Sequence, residues 1–299
     1  MGMTIMKAKK THSDIVYNCI SYISISILAI LCLVPFWLIL MASFTDGTSI
    51  ILNGYRFIPG EFSMEAYKVL FMRSEELIRA YGVTIFVTAT GTLLGLVSMT
   101  MAGYVLNRRE FKYRNRISFF IYFTSLFSGG MIPFYILIVK VLGLRDNLLS
   151  LILPALMNPF LVILMRNFMK TIPDAVLESA KIDGANDFRI FRSIVVFLVG
   201  PGIATVGLFL ALSYWNNWYF PMLFISNSDL FNLQYYLYNI LLGQQALQSF
   251  ASSVESARRF PGETIKMAMV IITIGPVLFL YPFVQKYFVK GITIGAVKG

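Results

Sequence analysis

Long apolar runs alternate with short polar connectors along the whole chain. Runs at about 17–41, 81–106, 117–141, 148–165, 195–214 and 265–288 are each long enough to cross about 30 Å of hydrocarbon as a helix. They predict an all-α membrane protein with six transmembrane helices and both termini on one side. The first run, Tyr17 to Met41, is longer than the core of a cleaved leader and has no small-residue cleavage site, so it reads as a retained span. The expected organisation is a polar tail over 1–16, a six-span domain over 17–289 and a second tail over 290–299. No separate soluble domain, internal repeat or low-complexity tract is visible.

One connector breaks the pattern. Residues 171–201, TIPDAVLESAKIDGANDFRIFRSIVVFLVGP, form a charged island of about thirty residues between two apolar runs, built like two short helices. Pro173 and Asp174 suit the first turn of a helix, because proline's missing N–H is no loss there and a carboxylate favours the positive helix end. Ala175, Val176, Ser179 and Ala180 group into a small, mostly apolar surface, with Glu178 and Lys181 three apart beside it. Gly184 ends this helix. Asn186 is placed to cap a second, in which Phe188, Phe191 and Val195 recur at helical spacing and which runs straight into the next apolar run. A surface-lying connector that merely joins two spans would show the same pattern.

Composition agrees with a membrane protein: 299 residues, 57% hydrophobic and 13% charged, with a mean hydropathy of +0.72. The net charge of +10 raises nucleic acid as a partner, but the cations sit in short loops beside apolar runs, where topology selection puts them. Lys7, Lys9 and Lys10, then Arg108, Arg109, Lys112, Arg114 and Arg116, then Lys286, Lys290 and Lys298 mark the cytosolic side. The tails and the loops at 107–116 and 166–194 are therefore expected inside, and 42–80, 142–147 and 215–264 outside. Cys19 and Cys32 lie thirteen apart in or beside one span, too far for a bond along a helix, and read as packing residues. The one histidine, His12, is in the tail, so no intramembrane histidine centre is expected.

Several polar or small residues interrupt the spans. Gly91, Gly95, Ser98 and Ala102 make a small-residue stripe, for packing within the chain or against another subunit. Ser125, Ser128, Gly129, Gly130 and Pro133 in the third run, and Pro154, Asn158 and Pro159 in the fourth, free backbone groups that need protein or a wet cavity. Both a path lining and simple kinks fit. After the fifth run, Trp215, Asn216, Asn217 and Trp218 offer flat apolar faces and amides, as a sugar site would, or an interfacial aromatic belt. From Leu230 on, Leu233, Leu237 and Leu241 predict an amphipathic helix on the outer surface, followed by the polar loop QQALQSFASSVES.

The chain has no G-x-x-x-x-G-K-[ST] phosphate loop and no convincing acidic residue inside its spans. Its acids Asp174, Glu178, Asp183 and Asp187 gather in the island, so energy is expected from a separate cytosolic protein docking there.

Glu178-Ser179-Ala180, Asp183-Gly184-Ala185 and Ile194 ten residues past the glycine resemble the EAA loop of bacterial ABC importer permeases. That family's pattern is Glu-Ala-Ala, three residues, Gly, nine residues, Ile-x-Leu-Pro. Here Ser179 is a conservative change, and Val196-Phe197 replace Leu-Pro, with Gly200-Pro201 placed to supply the break instead. Ser43-Phe44, Phe57-Ile58-Pro59, Trp215-Asn216 and the closing Gly291–Gly299 stretch extend the likeness over nearly the whole chain, nearest to carbohydrate permeases of the maltose type and their Gram-positive oligosaccharide branch.

The resemblance implies a type I importer permease fold and a subunit with no catalysis and no cofactor of its own. It also implies coupling to two ATP-binding cassette ATPases through Glu178, Ser179, Ala180, Asp183, Gly184 and Ala185. Contact of the tail residues Gly295, Val297, Lys298 and Gly299 with those ATPases follows from it too. Further partners implied are a second, related permease, an extracellular solute-binding protein, a carbohydrate substrate and the bilayer, with no nucleic acid. Asn158, Trp215, Asn216 and Trp218 are the candidate substrate path. Alternatives are an importer of the same kind for amino acids or phosphate, an ion-coupled carrier, or a membrane-embedded enzyme, the last disfavoured because neither HExxH nor GxSxG occurs.

Overall fold

Helices are the only regular elements among the described residues, 12–72, 74–250 and 262–278 of a computed structural model. They fall into two units, residues 1–70 with 244–272 and residues 71–243 with 273–299.

In the first unit α1 (His12–Ser43) is apolar on every side, and none of its most apolar window is buried. Cys19 and Cys32 are exposed on it, so they do not pack inside this chain as expected. Past α1, Ser43 Oγ donates to the Leu40 carbonyl at 2.7 Å and lies 2.9 Å from the Tyr67 hydroxyl, while Phe44 stacks on Phe62 and Tyr67. The Asp46 carboxylate accepts from the amides of Thr48 and Ser49 and so caps α2 (Gly47–Asn53). Trp37 Nε1 donates to the Phe57 carbonyl at 2.9 Å, which pins the Phe57-Ile58-Pro59 segment. The short α3 (Glu65–Phe71), burying Ala66 and Leu70, leads into the second unit.

That unit is built around α4 (Ser74–Asn107). Its buried side carries Ala80, Thr84, Val87, Gly91, Gly95, Met99 and Gly103, three or four residues apart, a single helical face. Where lipid replaces water, helices associate by close packing rather than by apolar expulsion. A methyl at Gly91 would lie 2.5 Å from Cζ of Tyr214, and one at Gly95 would overlap Leu210, so the stripe serves packing within the chain. Gly103 meets Met165 in the same way.

Beyond α4 the backbone turns sharply. α5 (Arg114–Leu126) and α6 (Met131–Ile136), the latter continued by a π turn over Leu137–Val141, are bent by 113°. α7 (Leu149–Ile152), with its 3-10 extension Leu153–Ala155, meets α8 (Pro159–Met169) at 50°. The island supplies α9 (Asp174–Ile182), α10 (Asp187–Ile190), a π turn over Phe191–Val195 and α11 (Val196–Leu198). α12 (Gly200–Trp215) then departs at 80°, so the second island helix does not run straight on. Each bend falls beside a proline, which lacks an N–H and restricts the residue before it, or beside paired glycines. The runs at 117–141, 148–165 and 195–214 are thus broken rather than straight.

Among the described residues, two helices are long and apolar enough to cross a membrane unbroken, or up to five segments if each bent pair is one span. α13 (Tyr219–Phe224), α14 (Leu233–Phe250) and α15 (262–278) complete the described chain. The sixth run is described only to residue 278. α14 is the helix expected from Leu230 on, with Leu233 and Leu237 buried. Of the expected polar loop, residues 244–250 are instead the end of α14, and the rest lies outside the described residues.

The bend between α7 and α8 frees backbone groups. Leu156 N–H turns to the Leu153 carbonyl, and the Ile152 carbonyl instead accepts the Tyr214 hydroxyl at 2.7 Å. A buried carbonyl in a membrane protein needs such a partner. The glycine at 91 makes room for the ring that provides it.

Candidate functional site: the helical elbow

α9 is closed by a Schellman motif, the turn in which a left-handed residue lets two amides reach back into the last helical turn. Gly184 has φ +78°, its N–H donates to the Lys181 carbonyl at 3.0 Å, and Ala185 N–H donates to the Ala180 carbonyl at 3.0 Å. Two residues on, the Asn186 side chain accepts from Arg189 N–H at 2.8 Å and starts α10, the cap expected from the sequence. Stop and start signals in consecutive residues therefore make a sharp corner between α9 and α10.

The outer surface of this elbow is apolar and open. Ile182 is 86% exposed and Phe188 66%, and Ala175, Val176, Ser179 and Glu178 are exposed as well. Ala180 differs from the expected grouping: it is 7% exposed and turned into the protein core. The alanine fits beneath the helix, and Ile182 and Phe188 supply apolar area on its free side. Ile182 continues no apolar stripe and left no sign in the sequence, whereas Phe188, expected at helical spacing with Phe191 and Val195, is exposed while Val195 is buried.

Behind the elbow, ion pairs tie it to the connector after α4. Arg108 Nη2 lies 2.6 Å from Asp187 Oδ1, Arg109 Nη2 lies 3.0 Å from Asp174 Oδ2, and Lys181 Nζ lies 2.5 Å from Glu110 Oε1. Lys181 thus turns to Glu110, not to Glu178, and its ammonium holds the Glu110 carboxyl below the ordinary carboxylate range. Leu177, Glu178 and residues 107–110 border an open cleft of about 120 Å3 between α9 and that connector.

The path candidates are not brought together. Asn158 caps α8, accepting from Leu161 N–H at 3.2 Å, and is exposed in the break of the fourth run. Trp215 is 6% exposed and donates to the Thr273 carbonyl at 3.2 Å, so it packs inside protein and matches neither an open path nor a belt. Asn216 Oδ1 accepts from Gln234 Nε2 at 3.3 Å. Trp218 is 41% exposed, rests on Tyr238 with ring centres 4.9 Å apart and meets Tyr219 edge-on, while Tyr238 stacks in turn on Tyr235. The tail residues Gly295, Val297, Lys298 and Gly299 lie outside the described residues. Among the described residues no cluster of His, Cys, Asp or Glu could hold a metal ion.

Elsewhere in the second unit, Asp146 adopts φ +53° and its carboxylate accepts from the amides of Ser226 and Asn227 at 2.5 and 2.8 Å. These two bonds lower its pKa. Arg79 pairs with Asp229 nearby in the chain, so the 142–147 and 225–230 loops are both tied down.

An exposed, charged helical elbow between bent apolar helices places the chain among helical membrane proteins with a structured polar connector. Residues 91–294 match the family of binding-protein-dependent transport system inner membrane components, and the chain belongs to that family. It is a multi-pass inner-membrane permease subunit of an ABC importer, and the complex such a subunit serves includes an ATPase and a binding protein.

The chain is 38% identical to the polygalacturonan/rhamnogalacturonan transport system permease protein YtcP of Bacillus subtilis strain 168, over 95% of this chain and 98% of that protein. It is 27% identical to the arabinooligosaccharides transport system permease protein AraQ of Halalkalibacterium halodurans, covering 93% and 95%. Among solved structures, a bacterial ABC transporter involved in import of the acidic polysaccharide alginate has a chain alike at TM-score 0.74 and 30% identity, covering 93% of this chain and 98% of that one.

Proposed function

We propose that the chain imports oligosaccharides as one of two paired permeases, with six spans, both termini in the cytosol, and the elbow seated on one of two ATPase subunits. The observation that carries the coupling role is the rigid corner at Asp183–Asn186, which presents Ile182 and Phe188 on its free side. An exposed ion pair gives about 0–1 kcal/mol, far below the roughly 5.5 kcal/mol that reverses a two-state equilibrium from 1:99 to 99:1. Apolar burial of Ile182, Phe188 and Val176, with Ala175 and Ser179 allowing close approach, supplies more than Glu178 does alone. ATP binding then biases spans that already alternate between inward-open and outward-open arrangements.

Carbohydrate as the solute is supported by the relatives' named substrates, polygalacturonan, arabinooligosaccharides and alginate. Trp218, with its exposed face, and the amides of Asn158 and Asn216 are the path residues in this reading, while Trp215 supports them from within. The Gly295–Gly299 segment is proposed to lie against the ATPase pair.

The test is purification of the intact complex through a tag on this chain, then measurement of ATP hydrolysis with added oligogalacturonates and arabino-oligosaccharides. Copurification of an ATPase and a second permease, with sugar-stimulated hydrolysis, is expected. Solute movement by this polypeptide alone, or labelling of an Ile182→Cys variant by a membrane-impermeant thiol reagent from outside intact cells, overturns the reading.

A further inference from the structure

Five basic residues follow α4, and the sequence explains all five by topology. The structure separates them. Lys112, Arg114 and Arg116 make no ion pair among the described residues, whereas Arg108 and Arg109 both hold the elbow. They belong to a run of four, Asn107 to Glu110, in which each residue grips a different point: Asn107 Nδ2 donates to the Met169 carbonyl at the end of α8 at 3.2 Å, Arg108 takes the start of α10, Arg109 the start of α9, and Glu110 the end of α9.

Arg108 is the centre of this run. Its side chain is only 12% exposed, and its guanidinium has three partners in three directions: Glu110 Oε2 at 3.0 Å from Nε, Asp187 from Nη2, and the Tyr104 hydroxyl at 3.1 Å from Nη1. A planar fork of donors suits such a junction, and a lysine's single point charge does not. Tyr104 itself packs against Phe191 at the start of the π turn beyond α10, with ring centres 5.4 Å apart. One helix end therefore meets α8, α9 and α10 at once, and that helix is the one whose glycines lock it onto α8 and α12.

We propose that the Asn107–Glu110 clasp is the joint through which movement of the elbow reaches α4, with Arg108 as its positioning residue. This rests on the coupling role proposed above for the elbow. A displacement of α9 and α10 that kept these bonds would carry the inner end of α4 with it, and α4 would carry α12. Topology needs only positive charge somewhere in the loop, whereas this role needs a guanidinium at position 108 and a carboxylate at position 187.

The experiment uses the complete transporter, with ATPase and binding protein, in proteoliposomes. Cys19 and Cys32 are replaced by serine and a single reporter cysteine is placed at Ile85, an exposed α4 position. Its labelling rate is measured with and without a nonhydrolysable ATP analogue. In Arg108→Ala the nucleotide-induced change is expected to shrink at least about fivefold with ATPase still bound, the lower end of ordinary coupling between sites. Arg108→Lys, which keeps the charge without the fork, is expected to recover only part of it, and Arg116→Ala leaves it intact. Should Arg108→Ala release the ATPase, the exposed pair is read instead: Arg109→Asp is expected to weaken the response and Arg109→Asp with Asp174→Arg to restore it. A full response in Arg108→Ala or in Arg108→Lys, or, where Arg108→Ala releases the ATPase, a loss in Arg109→Asp that the exposed-pair exchange does not recover, overturns the clasp. Gly184→Pro, read in parallel, separates the two ideas: if it silences the reporter while Arg108→Ala does not, only the clasp falls, and if it too keeps a full response, the coupling role of the elbow falls.

Discussion

Substitutions at Gly184 test the elbow's shape apart from its contacts. A Cβ built there meets nothing within 4 Å, so alanine brings no clash, and its whole cost is the left-handed backbone at φ +78°. For a residue with a Cβ that conformation costs about 1–2 kcal/mol, a roughly five- to thirtyfold loss in the population of the native corner. Asparagine visits this region more readily and costs less. Proline cannot adopt φ +78° at all, and it removes the N–H that donates to the Lys181 carbonyl at 3.0 Å, so the Schellman closure is lost entirely. The expected order of coupled activity is Gly184, then Asn, then Ala, with Pro inactive. The assay is sugar uptake in cells and ATP hydrolysed per sugar moved in proteoliposomes, with copurified ATPase and membrane-inserted protein quantified for each variant. Proline activity close to wild type, or equal losses for Asn, Ala and Pro, would refute the reasoning, because the first says that the corner does not matter and the second that its backbone angle does not.

Three further outcomes follow from other contacts. Gly91→Ala should destabilise by about 1–3 kcal/mol through overpacking on Tyr214, whereas Gly82→Ala in the same helix, with nothing within 4 Å, should stabilise by about 0.8–1 kcal/mol from helix propensity. Thermal inactivation of the detergent-solubilised complex ranks the two. Trp215→Ala should lower the amount of folded protein by opening a cavity, while Trp218→Ala should leave that amount unchanged and weaken apparent sugar affinity. Uptake kinetics normalised to membrane protein separate them. Asp146 has a depressed pKa, so its hold on the Ser226 and Asn227 amides is fully present above the ordinary value of 3.8 and is lost only as pH falls through the depressed one. Amide hydrogen exchange at those two residues should stay slow at neutral and mildly acidic pH, and Asp146→Asn should speed it throughout.

The apolar helices and the two island helices could be read from the sequence because each leaves a local signal: an apolar run, a cap at Asn186, a stop at Gly184. Directions left none. Apolar side chains face both protein and lipid, so the runs at 117–141 and 195–214 carry no mark of which residues turn inward or that the backbone bends by 113° and 80° within them. Prolines and paired glycines marked where the bends fall, but not their size. For the same reason Ala180 could not be told from Ala175, although one is buried and the other exposed. The burial of Trp215 depends on Thr273, 58 residues away, and the Arg108 ion pair depends on Asp187, 79 residues away. Such partners follow from how helices pack, which no window of sequence contains. Arg108 and Arg116 look alike in the chain and differ only in what lies opposite them.

The fit of the Tyr214 ring over Gly91 also constrains how the chain can change over generations. The hydroxyl is committed to the Ile152 carbonyl, so the ring cannot swing aside to admit a larger neighbour. A variant lineage that enlarges position 91 must therefore first, or simultaneously, shrink position 214 and find another donor for that carbonyl. The two sites should drift as a pair across descendants, each substitution being harmful by itself and tolerable only in the other's company.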